Sequence, residues 1–415
     1  MLKNYLKIAW KVLLRRKFFT FISLFGISIT LMVLMITASF ADYLLGAHAP
    51  ETESDRLLYV SRLKMSGEGF VMNTSPGFYF LDKYVTPLKT PEDITIFSRE
   101  YPFNVYVNNR KIDLDLRYTD SNFWNVLDFN FVEGVPFTKA NVESIGRVVV
   151  INEAIRDNYF GKGTKALGKS IVIDRIAYEV VGVVENIPAS RVNTYADVWV
   201  PYTNIKEDYR EPKFGGSFEA ILMAHSPGEV DKVKEEFYAA VNKAVIPAKD
   251  AANYDKLEVH ADSMLEYFVR GVGEIDGPVN LYQFAAWVFF GTLFFMLLPT
   301  INLVNINISR IMERASEIGI RKSFGASSNT LVVQFLVENL ILTLIGGLIG
   351  LVLAQGVLML INNSGIIPYT NFSINPTVFA YSFLLCVFFG ILSGVYPAYK
   401  MSKLPAVAAL KGGVR

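Results

Sequence analysis

The most chemical-looking motif in this 415-residue sequence is Gly163-Thr-Lys-Ala-Leu-Gly168-Lys169-Ser170, which satisfies the phosphate-loop pattern GxxxxGK[ST]. That chemistry needs a strand before the loop and a helix after it, so that backbone N–H groups can cradle phosphate. Here a helix-like stretch, 153–160, comes first and a strand-like run, 171–173, follows. The motif therefore reads as a glycine-rich turn leading into a strand, and Lys169 is expected to contact no nucleotide. His48, His225 and His260 have no partners at metal-ligand spacing, and no HExxH motif or Ser/His/Asp order is present. Cys386 is the lone cysteine, which excludes a disulfide framework. No catalytic, cofactor-binding or metal residue is expected, and the chain reads as a non-catalytic subunit.

A second group of residues is suited to recognition and packing. In the segment 309–330 and the residue before it, Ile308, Ile311, Ala315, Ile318 and Lys322 trace one side of a helix. Glu317 and Arg321 form a favourably oriented i,i+4 pair, and Gly325 suits a C-cap. The result is a short amphipathic helix carrying both charge signs, or else an ordinary basic loop. Gly346 and Gly350 with Ala354, and Gly390 with Gly394, repeat at four-residue spacing and would let helices approach closely. Packing within one subunit and dimerisation are both open to them.

These residues are positioned by apolar elements. With 52% apolar residues, the chain is too hydrophobic for an ordinary soluble enzyme. Four segments are long and apolar enough to span a bilayer: 18–41, 279–308, 331–361 and 376–398. Glu338, the one carboxylate in the third, falls about 10 Å into it at helical rise, towards the cytoplasmic interface. Pro299 removes a backbone donor and should kink or break the second. Basic residues collect before the first span (Lys3, Lys7, Lys11, Arg15, Arg16, Lys17), between the second and third (Arg310, Arg314, Arg321, Lys322) and after the fourth (Lys400, Lys403, Lys411, Arg415). Cationic flanks stay inside, so both termini are cytoplasmic and residues 42–278 lie outside. Residues 1–17 read as an amphipathic helix along the inner leaflet, or else as a basic tail with accidental periodicity, 362–375 as an uncharged external loop, and 399–415 as a cytoplasmic tail. The long apolar run argues for an uncleaved anchor over a signal peptide.

The exterior domain holds roughly 26 basic and 36 acidic residues. Such an acidic surface excludes nucleic acid as its main partner. Its strand candidates, 56–63, 94–98, 105–107 paired through Asn108-Asn109 with 112–117, 147–151, 170–173, 178–184 and 198–201, imply a mixed α+β fold. A βαβ unit is expected from 218–224, the helix 228–244 and 257–260. Two lobes are expected, one from 57–100 with 217–264 and one inserted between. The fold class is thus an α-helical membrane protein with four transmembrane helices and a large two-lobed α+β extracytoplasmic domain between helices 1 and 2.

The run ERASEIGIRKSFGASSNTLVVQFLVENLILTLIGGLIG resembles the FtsX-like permease domain, as do the opening RRKFFTFISLFGISI and the closing YPAYKMSKLPAVAAL. GKGTKALGKSIVIDRIAYEVVGVVENIPA resembles the MacB-type periplasmic core. The resemblance implies an inner-membrane ABC transporter permease that holds no cofactor itself. ATP and Mg would sit on a separate ATPase subunit, engaged by Glu313, Arg314, Glu317, Ile318, Gly319, Arg321, Lys322 and Gly325. A second permease chain, identical or not, would complete the membrane part among the lipids, and a periplasmic adaptor and outer-membrane channel are open as further partners. The implied work is ATP-driven movement of the exterior domain for export or extraction of a peptide, lipoprotein or antimicrobial. The alternative is ATP-driven signalling to a cell-envelope partner.

The charge asymmetry generates a topology prediction. A phosphatase reporter fused after Arg415 should be inactive because it remains in the cytoplasm; periplasmic activity would overturn the assignment.

Overall fold

The β-branched and aromatic runs of the exterior sequence pair as strands in the computed structural model, which describes residues 11, 13–15, 17–107, 110–273, 277–312, 320, 324, 327–366 and 368–402. The strands are β1 (Leu57–Val60), β2 (Leu63–Gly67), β3 (Phe70–Pro76), β4 (Asp93–Ser98), β5 (Tyr101–Val107), β6 (Arg110–Thr119) and β7 (Phe131–Gly134). They continue with β8 (Val148–Asn152), β9 (Ser170–Ile173), β10 (Ile176–Val184), β11 (Val198–Pro201), β12 (Gly215–Gly216), β13 (Phe218–Met223) and β14 (Lys256–Val259). The helices used below are α1 (Lys17–Leu45), α2 (Glu153–Phe160), α3 (Val230–Val241), α4 (Met264–Gly273), α5 (Leu281–Met312), α6 (Ser328–Ser364) and α7 (Pro376–Ser402). The chain divides into a helical unit, residues 1–43, 282–366 and 371–415, and an exterior unit, residues 44–281 and 367–370.

In the exterior unit a ten-stranded sheet runs β1-β13-β4-β6-β11-β8-β10-β7, with β5 also on β6 and β9 also on β10. The β8/β10 and β6/β11 pairs are parallel and the other pairs antiparallel. The expected β5–β6 hairpin is present, closed by Val107 opposite Arg110; Asn108 and Asn109 lie outside the described residues. The β9–β10 hairpin turns on Asp174 and Arg175, with φ of 48° and 64°. Two successive positive φ values twist a two-residue loop in the sense of its strands.

A second sheet, β12-β3-β2-β14, changes the expected βαβ unit. Its three elements exist as β13, α3 and β14, but the strands belong to different sheets. All six residues of β13 are buried, and both its edges are taken by β1 and β4, so β14 pairs with β2 instead. The helix between them is amphipathic, burying Val233, Phe237 and Val241 at four-residue intervals. Strands from both expected lobes share the large sheet, joined where Phe97 of β4 faces Thr119 of β6. Apolar burial clusters around Phe80, Phe214 and Phe237 on one side and Val149, Ile171 and Val183 on the other, and a third cluster bridges the two expected lobes by packing Tyr59, Phe97 and Ile221 with Phe123, Val150 and Trp199.

The helical unit contains α1, α5, α6 and α7. Lys17–Leu45 and Val332–Ser364 are long and apolar enough to cross a membrane, while α5 and α7 carry shorter apolar stretches, Leu281–Phe295 and Phe379–Leu392, among the described residues. Of the kink or break expected at Pro299, the break is absent: α5 continues through it. One proline removes one helical hydrogen bond, and the bonds on either side can carry the helix on. Ser327 caps α6 by accepting from the Thr330 N–H at 3.2 Å. Further along that helix, buried Glu338 accepts from Gln334 Nε2 at 3.0 Å.

Small residues set the packing of α6. A Cβ placed on Gly346 would lie 2.6 Å from Ile27 Cγ2, and one on Gly350 would lie 2.9 Å from the Ser28 carbonyl oxygen. Ser28 Oγ donates to the Gly346 carbonyl at 3.0 Å, sealing the α1–α6 contact. On α7, a Cβ on Gly390 would lie 2.5 Å from Thr343 Oγ1 of α6. Gly394 lies one turn further along α7. Three of the four glycines thus meet helices of the same chain. Gly350→Val should overpack this contact and cost about 1–3 kcal/mol. Thermal unfolding in detergent should show a lowered midpoint; a midpoint equal to wild type would refute the close approach.

Candidate functional site

Two buried arginines hold the parts of the exterior unit that continue, in sequence, into long helices. Residues 191–195 form a tight turn, in which the Thr194 and Tyr195 N–H groups donate to the Arg191 carbonyl. The turn directs the Arg191 guanidinium inward, where Nη1 donates to Glu51 Oε2 at 2.7 Å and Nη2 to the Gly46 carbonyl at 2.9 Å. Gly46 is the residue after α1. Thr194 Oγ1 donates to the other Glu51 oxygen at 3.3 Å. Arg191 and Glu51 are both buried, and burial pushes the Glu51 carboxyl above its ordinary value while the charge of Arg191 opposes the shift.

The second arginine occupies the end that leads into α5. Arg270, on α4, grips Asp262 through a two-pronged contact, Nε to Oδ2 at 2.6 Å and Nη2 to Oδ1 at 2.9 Å. Its remaining Nη1 donates to the Gly277 carbonyl at 2.6 Å, four residues before α5 begins. Asp262 is itself bridged to β1, since its backbone exchanges both hydrogen bonds with Tyr59. A third tie involves the segment between α6 and α7, where the Ala189 N–H donates to the Pro368 carbonyl at 3.3 Å. Beside it, burial and the charges of Asp197 and Asp115 push the Tyr369 hydroxyl up to about 12.

This arrangement holds the chain segments beside α1 and α5 in fixed places on the exterior unit. An arginine–carboxylate fork resists shear because two parallel bonds must break together, and a buried one cannot open without stranding a charge. Glu51, Arg191, Asp262 and Arg270 were not legible as a set, because the pairing of Glu51 with Arg191 joins residues 140 positions apart.

The phosphate-loop lookalike has its N–H groups engaged elsewhere. Glu133 Oε2 accepts from the Ala166 N–H at 3.0 Å and the Leu167 N–H at 3.4 Å, so a carboxylate of the chain occupies the turn. Gly168 N–H donates to the Val180 carbonyl, and Lys169 Nζ stands over the Phe160 ring at 5.5 Å. No His/Cys/Asp/Glu group suited to a metal occurs among the described residues. The recognition residues Glu313, Arg314, Glu317, Ile318, Gly319, Arg321, Lys322 and Gly325 lie outside the described residues.

Residues 20–240 match the MacB-like periplasmic core domain, and residues 289–406 match the FtsX-like permease C-terminal domain. The chain belongs to the MacB/FtsX-like permease family. Members of this family are membrane proteins with a periplasmic domain, and this MacB/FtsX-like permease is similar to several named relatives. It is 28% identical over 316 residues to the macrolide export ATP-binding/permease protein MacB of Wolinella succinogenes, covering 74% of this chain and 44% of that one. It therefore spans less than half of that relative. It is 29% identical over 306 residues to the uncharacterised ABC transporter permease YvrN of Bacillus subtilis, covering 70% of this chain and 68% of YvrN. Among solved structures, the comparison with the extracellular domain of YknZ gives 15% identity and a TM-score of 0.36, covering 48% of this chain and 98% of that one. The periplasmic region of MacB from Actinobacillus actinomycetemcomitans gives 12% identity and a TM-score of 0.37, covering 54% and 94%.

Removing one partner of the ties should be costly in this permease. Glu51→Gln or Arg191→Met should each destabilise the exterior unit by about 3–5 kcal/mol, and the double variant by less than the sum, because the stranded charge is then gone. Denaturant unfolding of the detergent-purified chain measures this; additive or negligible losses would contradict a buried, coupled pair.

Proposed function

We propose that this permease is the membrane subunit of an ABC transporter in the bacterial inner membrane, converting ATP hydrolysis on a separate ATPase subunit into movement of its exterior domain. The observation that carries the reading is the pair of buried arginine ties, which hold the exterior unit at the segments following α1 and preceding α5. Displacement of either helix end would be delivered to the exterior unit as a body, instead of being absorbed by a loose linker.

Several features support the remaining parts. Four long helices with basic flanks on one side fit a four-span permease with both ends inside. Two copies, identical or not, would associate through their spans among the lipids, with two ATPases below. The segment holding Glu313, Arg314, Glu317, Ile318, Gly319, Arg321, Lys322 and Gly325 follows α5 and would lie in a groove of the ATPase, Ile318 giving the apolar contact. ATP and Mg belong to that partner. The MacB relatives are named for macrolide export, and by analogy this chain would move an envelope substrate such as a peptide or lipoprotein, with an adaptor and an outer-membrane channel as further partners.

An exposed i,i+4 pair contributes only about 0.3–0.5 kcal/mol to its helix, so loss of helix stability alone cannot uncouple the complex. Glu317→Lys and Ile318→Asp should therefore abolish permease-stimulated ATPase activity, or detach the ATPase, while membrane insertion and exterior folding stay normal. Wild-type recruitment and stimulation in both variants would remove this segment from the mechanism.

A further inference from the structure

Between the small sheet and the β13/β4 part of the large sheet the exterior unit carries an open cavity of ≈ 570 Å³, bounded on another side by α4. That volume falls in the range of small-molecule sites, roughly 300–1,000 Å³. The wall is strongly polar, and its charges are unevenly satisfied. Arg270 is committed to Asp262, and Lys64 faces Glu258 across the β2–β14 register. Arg62 and Arg99 are different. Among the described residues neither guanidinium has an ion-pair partner, and the one hydrogen bond between them is a long one, from Arg62 Nη1 to the Arg270 carbonyl at 3.4 Å. Both residues are exposed and line the cavity.

Two buried groups complete the wall. Glu219 is 8% exposed, and its one hydrogen-bond contact among the described residues is Ser75 Oγ at 3.5 Å. Nε2 of His260, a residue lining the same cavity, is buried without a hydrogen-bond partner. Buried polar groups are normally well partnered, so the unpartnered His260 Nε2 and a Glu219 held by one long hydrogen bond in the same wall point to a ligand that completes them. A cavity offering two uncommitted guanidiniums also stands out in a domain that carries about ten more acidic than basic residues.

We propose that this cavity binds a small solute bearing a carboxylate, the planar anion held by Arg62 and Arg99 and the solute's body lying along Ser75 towards Glu219. Guanidinium forks match a planar carboxylate in two-pronged geometry. A phosphate dianion fits less well, because Glu219 and Glu258 in the same wall would repel its second charge. The site stands apart from ATPase coupling, so its failure and the failure of that reading are separately observable.

Glu219 makes the binding sensitive to pH. Burial pushes its carboxyl up to about 7, against the lowering charges of Arg117 and Arg99. The groups facing it are Ser75, Arg99, Arg117, Glu100, Tyr267 and, across the cavity, His260, which burial and the charge of Arg270 hold below its ordinary value. Below neutrality Glu219 gains a proton, loses its repulsion of an incoming anion and can donate a hydrogen bond to it. Carboxylate binding should therefore be tighter at acidic than at basic pH.

The test is calorimetric titration of the full chain in detergent with N-acetyl-trialanine, its C-terminal amide and inorganic phosphate. The free acid should bind, with the amide and phosphate each at least about tenfold weaker. Arg99→Gln, an exposed change that should leave unfolding unaltered, should weaken the acid by about tenfold. The acid should bind more tightly at about pH 6 than at about pH 8, where its own carboxylate is ionised throughout, and Glu219→Gln should flatten that difference. Equal binding of acid and amide, no binding of the acid, stronger binding of phosphate, or an Arg99→Gln variant indistinguishable from wild type would each overturn the proposal.

Discussion

The mechanical reading rests on the Arg191–Glu51 contact. A guanidinium and a carboxylate are both withdrawn from water there, and the same guanidinium reaches the Gly46 carbonyl one residue beyond α1. Desolvation makes such a pair a poor source of net stability compared with apolar packing. Its value lies in what breaking it costs, because either partner alone would be a buried uncompensated charge. A linker held in this way has one position, whereas a solvated loop has many. The Arg270–Asp262 fork repeats the device at the other connection, with the Gly277 carbonyl in place of Gly46.

Both contacts are anchored in the large sheet. Asp262 is bridged to β1, β1 pairs with β13, and β13 pairs with β4 along six consecutive residues. The turn carrying Arg191 precedes β11, which is locked between β6 and β8. Both arginines are therefore fastened to the same ten-stranded sheet. In the helical unit the corresponding stiffness comes from close approach, with Gly346 and Gly350 admitting α1 and Gly390 admitting Thr343.

Local patterns carried much of this fold. The apolar runs announced the long helices, strand-forming residues and turn signals announced most strands, and the helix expected over 228–244 is present as α3. The context of Gly163–Ser170 was equally legible, since a helix before and a strand after exclude a phosphate cradle. Strand partnership was not. The run 257–260 has the composition of a strand but nothing in it says that β13 has no free edge, so it was placed in the wrong sheet. Continuation of α5 through Pro299 depends on neighbouring helical bonds, and a propensity argument weighs the proline alone. Glu51 and Arg191, or Arg62 and Glu219, are brought together only by the folded chain, and their sequence surroundings are unremarkable.

In the proposed mechanism the exterior unit moves as one body with the segment leaving α1. This can be tested with spin labels in a Cys386→Ser background, one at Ala47→Cys and one at Asp113→Cys, on the chain assembled with its ATPase. Pulsed electron resonance would compare the distance between them without nucleotide and with ATP trapped by vanadate. The account predicts that this distance within a chain stays constant, while the distance between Asp113→Cys labels in two paired chains changes. A changed distance within the chain, with that between chains unaltered, would contradict it.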